Sequence, residues 1–231
     1  MIILMKRLIK KLLVYSPIRY SERLVSLWRL TLLRDWITMR QPIPYFNTRE
    51  LLYAYVVEKI GGNKPISYLE FGVEQGNSIK HWSKLNTNDQ SEFIGFDSFE
   101  GLPEDWVKAE CVIKRGHCST DGIPPKISDK RVTFIKGWFN DTLPPFLEKY
   151  STDKQLVIHC DADLYTSTLF VLCTLHPFIK TGVIILFDDF SAMSHDFSAL
   201  EDYTRSFRRN YEVLGAAGYY YYGHVAIKVV E

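Results

Sequence analysis

The sequence predicts an α/β chain. Its centre is one doubly wound sheet of seven strands, mostly parallel, with the last strand antiparallel and helices on both faces. Three observations carry this. From residue 66 onward, apolar runs of strand length alternate with segments of helical pattern. Acidic residues recur at the carboxyl ends of those runs. The final two runs, YEVLGAAG and HVAIKVV, have too little chain between them for a crossover, so they must pair antiparallel.

The elements follow in order. QPIPYFN (41–47) ends a basic head, and Asn47 or Thr48 caps a helix running to about Ile60, with Glu50 in its first turn. GGNKP closes that helix. ISYLEF (66–71) is a buried strand, and residues 77–86 form a helix. EFIGFD (92–97) is the second strand. A Gly- and Pro-rich loop then runs from Ser98 to about Asp129, with a short helix expected within it. RVTFIKG (131–137), QLVIHCD (155–161) and GVIILFDD (182–189) are further strands. The helices between and after them cover about 142–150, 167–178 and 196–209. A parallel sheet ending in one antiparallel strand is the Rossmann-like arrangement of class I methyltransferases rather than of plain dinucleotide-binding domains.

With 46% hydrophobic residues in 231, the chain can bury a substantial core. A net charge of +1 gives no global pull toward nucleic acid. The charge is uneven, however. Residues 1–40 carry nine Lys or Arg against Glu22 and Asp35, a net +7 that leaves −6 for the rest. Residues 1–46 therefore read as a basic amphipathic helical arm ahead of a domain at 47–231. Lys6, Arg7, Lys10 and Lys11 share one helical face in MIILMKRLIKKLLVYS, and apolar residues cover most of the rest. The charged pairs make the run too short to span a bilayer, and it lacks a small-residue cleavage site. Two readings stay open for residues 1–15: a helix on an anionic membrane surface, or one docked on its own domain or on a second subunit. The four cysteines follow reduced, intracellular usage, so the expected location is cytoplasmic, with or without peripheral contact at the inner face of the membrane.

The chemistry concentrates at strand ends. In YLEFGVEQGNSIKHW, Glu70 nears the end of a strand, Gly72 lets the backbone turn, and Gly76 allows close approach where a helix begins beside Asn77 and Ser78. The spacing E-x-G-x-x-x-G is not the G-x-G-x-x-G of nicotinamide proteins. Asp97 ends the second strand, where a carboxylate can accept bonds from ribose hydroxyls or simply cap a turn. HCDADLY places Asp161 and Asp163 at one strand end, and LFDDF places Asp188 and Asp189 at the next. Converging carboxylates suit a hard divalent cation, Mg²⁺ by preference. If the strand persists, alternation turns Asp163 away from Asp161, so Asp163 is not a first choice for the metal.

YLEFGVEQGNSIKHW, FIGFDSFEGLPEDW, FIKGWFNDTLPPFL, HCDADLYTSTLFVLCTLHPFIKTGVIILFDDF and the terminal VAIKV together resemble the macrocin O-methyltransferase family, in order over about residues 48–230. The basic arm lies outside the resemblance. What it implies is an enzyme dependent on S-adenosylmethionine (SAM) and on a metal, methylating sugar hydroxyls of natural products. Glu70, Gly72, Gly76 and Ser78 would line the methionine half of SAM, Asp97 would hold the ribose, and Gly137 and Trp138 would border the adenine. Asp161, Asp188 and Asp189 would hold Mg²⁺, with Asp161 also near the sulfonium. Ala162 stands where the family commonly has Gly, and loop 103–130 departs from the macrolide-modifying members, which opens the choice of acceptor.

A hydroxyl is a poor nucleophile, so a base is needed. Asp161, Asp163 and His117 are the catalytic candidates, with His195 behind them. His81 and His159 look structural. Trp106, Trp138 and Phe139 either stack on a ligand or pack the rim. The expected function is SAM- and Mg²⁺-dependent O-methylation of a sugar, glycan or natural-product hydroxyl. A catechol-type acceptor and a non-catalytic SAM-binding module at a membrane are the alternatives. A homo-oligomer is compatible with the tyrosine-rich GYYYYGH (218–224) as an interface.

Overall fold

The structure, a computed structural model, describes residues 5, 7–8, 10–11, 14–15, 18–108, 111–218 and 222–231. Much of the amphipathic segment 1–15 and the tyrosines at 219–221 lie outside the described residues.

Helix α1 covers Ile18–Met39 and is followed by a short strand, β1 (Tyr45–Phe46). Helix α2 (Arg49–Lys59) starts at the expected cap, where the Thr48 side chain accepts from the Leu51 amide. Then come β2 (Ile66–Phe71), α3 (Asn77–Leu85) and β3 (Glu92–Asp97). The long loop holds a two-stranded antiparallel hairpin, β4 (Trp106–Val107) and β5 (Val112–Ile113), where a short helix was expected. Trp106 supplies the reason: buried against Leu102 and Leu164, it anchors an extended segment to the body. The order continues with β6 (Val132–Lys136), α4 (Phe139–Leu147), β7 (Gln155–Cys160), α5 (Tyr165–Thr174), β8 (Ile184–Phe187) and α6 (Asp196–Phe207). Strands β9 (Asn210–Ala217) and β10 (His224–Val230) end the chain. Helix α4 begins three residues earlier than expected, at Phe139, because Trp138 serves as its extended N-cap residue.

The sheet has eight strands in the order β1-β9-β10-β8-β7-β2-β3-β6, one more than expected because β1 adds to the edge, parallel to β9. Only β10 runs antiparallel, inserted between β8 and β9. Strand β2 is buried along its whole length, as a central parallel strand covered on both faces must be. One face packs on α2 and α3 through Tyr53, Val56, Ile79 and Trp82. The other packs on α4, α5 and α6, and also on α1, which contributes Leu33 and Trp36. Trp36 is 2% exposed and donates its indole N–H to the Tyr211 hydroxyl at 2.7 Å. The last third of the basic arm is therefore part of the core.

Candidate active site

The parallel register stacks the ends of β2, β3, β7 and β8 side by side. The Asp161 amide donates to the Phe71 carbonyl, and the Asp188 amide to that of Cys160. Chains leaving adjacent parallel strands here open a crevice, the usual ligand position in doubly wound sheets. It is a cavity of about 750 Å³ lined by Gly72, Ser78, Asp97, Gly137, Trp138 and all four aspartates of the two acidic motifs.

Gly72 is required twice over. Its φ is +94°, and a Cβ there would lie 1.8 Å from the Asp161 carbonyl oxygen. The turn that follows is held by Asp97. One carboxylate oxygen of Asp97 accepts from the Val73 and Glu74 amides at 2.7 and 2.9 Å, and the other accepts from the Phe99 amide at 2.7 Å. The oxygen that holds the Val73 and Glu74 amides is thereby filled, and the one that holds Phe99 keeps capacity for a further donor. Gly76, at φ +74°, caps α3 from behind, where a Cβ would press on Pro125 at 2.9 Å; it does not line the cavity. Glu70 does not either. Its register partner is His159, and it sits fully buried on the α2/α3 face of the sheet.

The carboxylates sort differently from the expected metal set. Ligand atoms of Asp161, Asp163 and Asp189 all lie within 4.8 Å of one another. Asp188 instead groups with Asp161 and His159. The orientation expected for Asp163 is corrected because β7 stops at Cys160 and Asp163 adopts φ +61°, which turns its side chain back toward the cluster. Burial and the neighbouring Asp188 raise the Asp161 pKa well above the carboxylate range. Burial and Asp189 push Asp163 to about 9. Such a cluster of hard oxygens is electrostatically strained on its own, and a cation would relieve it. Lys108 partly does so, reaching Asp189 at 3.4 Å while lying over the Trp106 ring.

Asp188 is engaged on both oxygens. Arg49 donates to one at 2.9 Å, while the other faces the Tyr53 hydroxyl at 3.3 Å and His224 Nδ1 at 2.9 Å. Burial alone would raise its pKa, but the His159 and His224 rings hold it well below the usual range. Behind it, the Tyr68 hydroxyl donates to Glu70 at 2.5 Å and contacts His159 Nδ1 at 2.7 Å. Burial opposes charge on His159, yet Asp188 and Glu70 lift its pKa to about 9. His159 thus sits fully buried between two carboxylates, its ring nitrogens 3.6 Å from Glu70 and 3.7 Å from Asp188.

Of the base candidates, Asp161, Asp163 and His117 all line the cavity, His117 from its exposed side. His195 does not: its Nε2 bonds the Val107 carbonyl at 2.9 Å and its Nδ1 accepts from the Tyr165 amide at 3.2 Å. Both nitrogens are committed to holding the hairpin and the start of α5. Trp106, Trp138 and Phe139 line the wall, and Phe139 also packs edge-on against Phe71 in the core. Arg49, Glu74 and Lys108 were missed. Arg49 alone carried a signal, since a cation in the first turn of a helix opposes the helix dipole and calls for a tertiary partner.

The chain matches the family model described as a methyltransferase domain over residues 69–190. Among characterised proteins it is similar to demethyldecarbamoylnovobiocin O-methyltransferase of Streptomyces niveus, 26% identical over 75% of this chain and 71% of the relative. It is also similar to the 8-demethyl-8-(2,3-dimethoxy-α-L-rhamnosyl)-tetracenomycin-C 4'-O-methyltransferase of Streptomyces olivaceus, 25% identical over 78% and 72%. Among solved structures, the O-methyltransferase NovP superposes with a TM-score of 0.58 at 22% identity over 79% of this chain and 80% of its own. A CmcI structure with Mg and SAM gives 0.54 at 15% over 80% and 73%. With strand order, cavity and family model in agreement, the chain belongs to the methyltransferase-domain family, as a class I SAM-dependent O-methyltransferase of the macrocin-like type.

Proposed function

We propose that this protein transfers the methyl group of SAM to a hydroxyl of a sugar, glycan or natural-product acceptor, with a divalent cation, Mg²⁺ by preference, held at the acidic cluster. The observation that carries the reading is that Asp161, Asp163 and Asp189 converge in the same cavity as the Gly72 turn and Asp97. The relative named for a rhamnosyl-bearing acceptor and the CmcI–Mg–SAM likeness support it.

SAM supplies an electrophilic methyl on a sulfonium, and a bound cation supplies positive charge that lowers the pKa of an acceptor hydroxyl. The chain's own residues position and deprotonate. Gly72 and Ser78, with the free amides at the start of α3, suit the carboxylate of the methionine half. Asp97 suits the ribose, and Gly137 and Trp138 the adenine. Glu70 and Gly76 act from behind the wall, by holding His159 and the α3 turn. Asp161 and Asp189 are first choices for the cation; Asp188 would join them only by exchanging its contacts with Arg49 or His224. Asp163, on the cavity side, is best placed to take the acceptor proton.

Calorimetric titration of SAM and S-adenosylhomocysteine, with and without Mg²⁺, tests the cofactor pocket; absence of binding in both conditions would remove the reading. Asp189→Asn is then expected to lower methyl transfer on the order of 100-fold or more, with SAM affinity within about threefold of wild type. Unchanged turnover would rule out the cation's role.

A further inference from the structure

We infer that the basic arm and the outer face of α1 dock this enzyme on an anionic phospholipid surface. Helix α1 is tied to the body by Leu33 and Trp36, which are buried. A neighbouring stripe is left uncovered: Val25, Trp28, Leu32 and Met39, 43%, 61%, 40% and 75% exposed, follow one another at helical spacings of three, four and seven residues. Asp35, which interrupts the stripe, is neutralised by Arg34 at 2.8 Å. Upstream, the described apolar residues Met5, Leu8, Val14 and Tyr15 are all more than half exposed, and Arg7, Lys10 and Lys11 between them are exposed as well.

Charge selects the occupant. The first 40 residues carry net +7, whereas the remainder carries −6. A two-fold dimer built on this face would oppose two such arms, like charge on like. An anionic bilayer offers the opposite sign together with an apolar layer for Trp28 and its neighbours, and an aromatic ring at that depth is favourable. Among the described residues no helix is long and apolar enough to cross a membrane, so the contact is peripheral.

Co-sedimentation of the full chain with phosphatidylcholine vesicles, with and without phosphatidylglycerol, tests this. Binding is expected only to the anionic vesicles, and its loss near 1 M salt, where charges are screened beyond about 3 Å. Each lysine near the surface contributes about fivefold, so Lys10→Gln with Lys11→Gln should weaken binding on the order of 30-fold. Trp28→Ser should weaken it roughly tenfold. All these positions are exposed, and an unchanged melting temperature and SAM titration would show the variants intact. Equal binding to neutral vesicles, no sedimentation with either, or indifference to both variants would overturn the proposal. An arm-dependent dimer without vesicle binding would do the same and assign the face to a second copy.

Discussion

Gly72 shows how much one position can decide. It combines a left-handed φ with a carbonyl 1.8 Å from where a Cβ would sit. Gly72→Ala must therefore push β2 and β7 apart at the mouth of the cavity. The expected cost is at least about 2 kcal/mol in stability, with loss of SAM binding, read by urea denaturation and calorimetry. Arg49 is the second such position. Its guanidinium answers a buried carboxylate, and Arg49→Met leaves Asp188 with the tyrosine and histidines alone. A loss of about 2 kcal/mol is expected in urea denaturation, in keeping with a charged hydrogen bond. Glycines and acids were legible at this scale because several of them recur together at the carboxyl ends of successive apolar runs. The partners of Asp188 were not. Arg49, Tyr53, His159 and His224 are distant in sequence, and nothing local in the chain aims them at one carboxylate.

At the scale of elements, most boundaries followed from local chemistry. Thr48, one of the two caps the sequence offered, caps α2, and Thr48→Ala should cost about 1 kcal/mol, lowering the melting temperature by about 2–4 °C. Strands β2, β3 and β10 lie where their apolar runs end. The failures share a cause. The β4–β5 hairpin forms because Trp106 is drawn under Leu102 and Leu164, and Asp163 turns inward because β7 stops one residue short of Asp161. Both are tertiary decisions about where a strand may end. A reading that extends alternation through Asp163 aims its carboxylate the wrong way, since a pattern of period two carries no mark for a residue in the left-handed region.

For the whole molecule, the arm is divided in its role. Its C-terminal part completes the fold: Trp36 fills a gap between α6 and the sheet, against Phe190 and Phe197, and β1 closes one edge. Trp36→Ala should destabilise by about 3–5 kcal/mol in urea denaturation. Trp28→Ala, eight residues earlier on the exposed side, should stay within about 0.5 kcal/mol. The contrast separates the packed face of α1 from its free one.

Period, punctuation and charge in this chain were enough to specify a parallel α/β sheet with an antiparallel end, the acidic strand ends and the basic arm, because each is written in residues within a few positions of one another. The insertion of β10 between β8 and β9, the eighth strand, the inward turn of Asp163 and the buried Glu70–His159–Asp188 bridge came only with the tertiary structure. Each depends on contacts between segments far apart in sequence, whose free energy is set by burial and by low-dielectric charge pairing that no local pattern encodes.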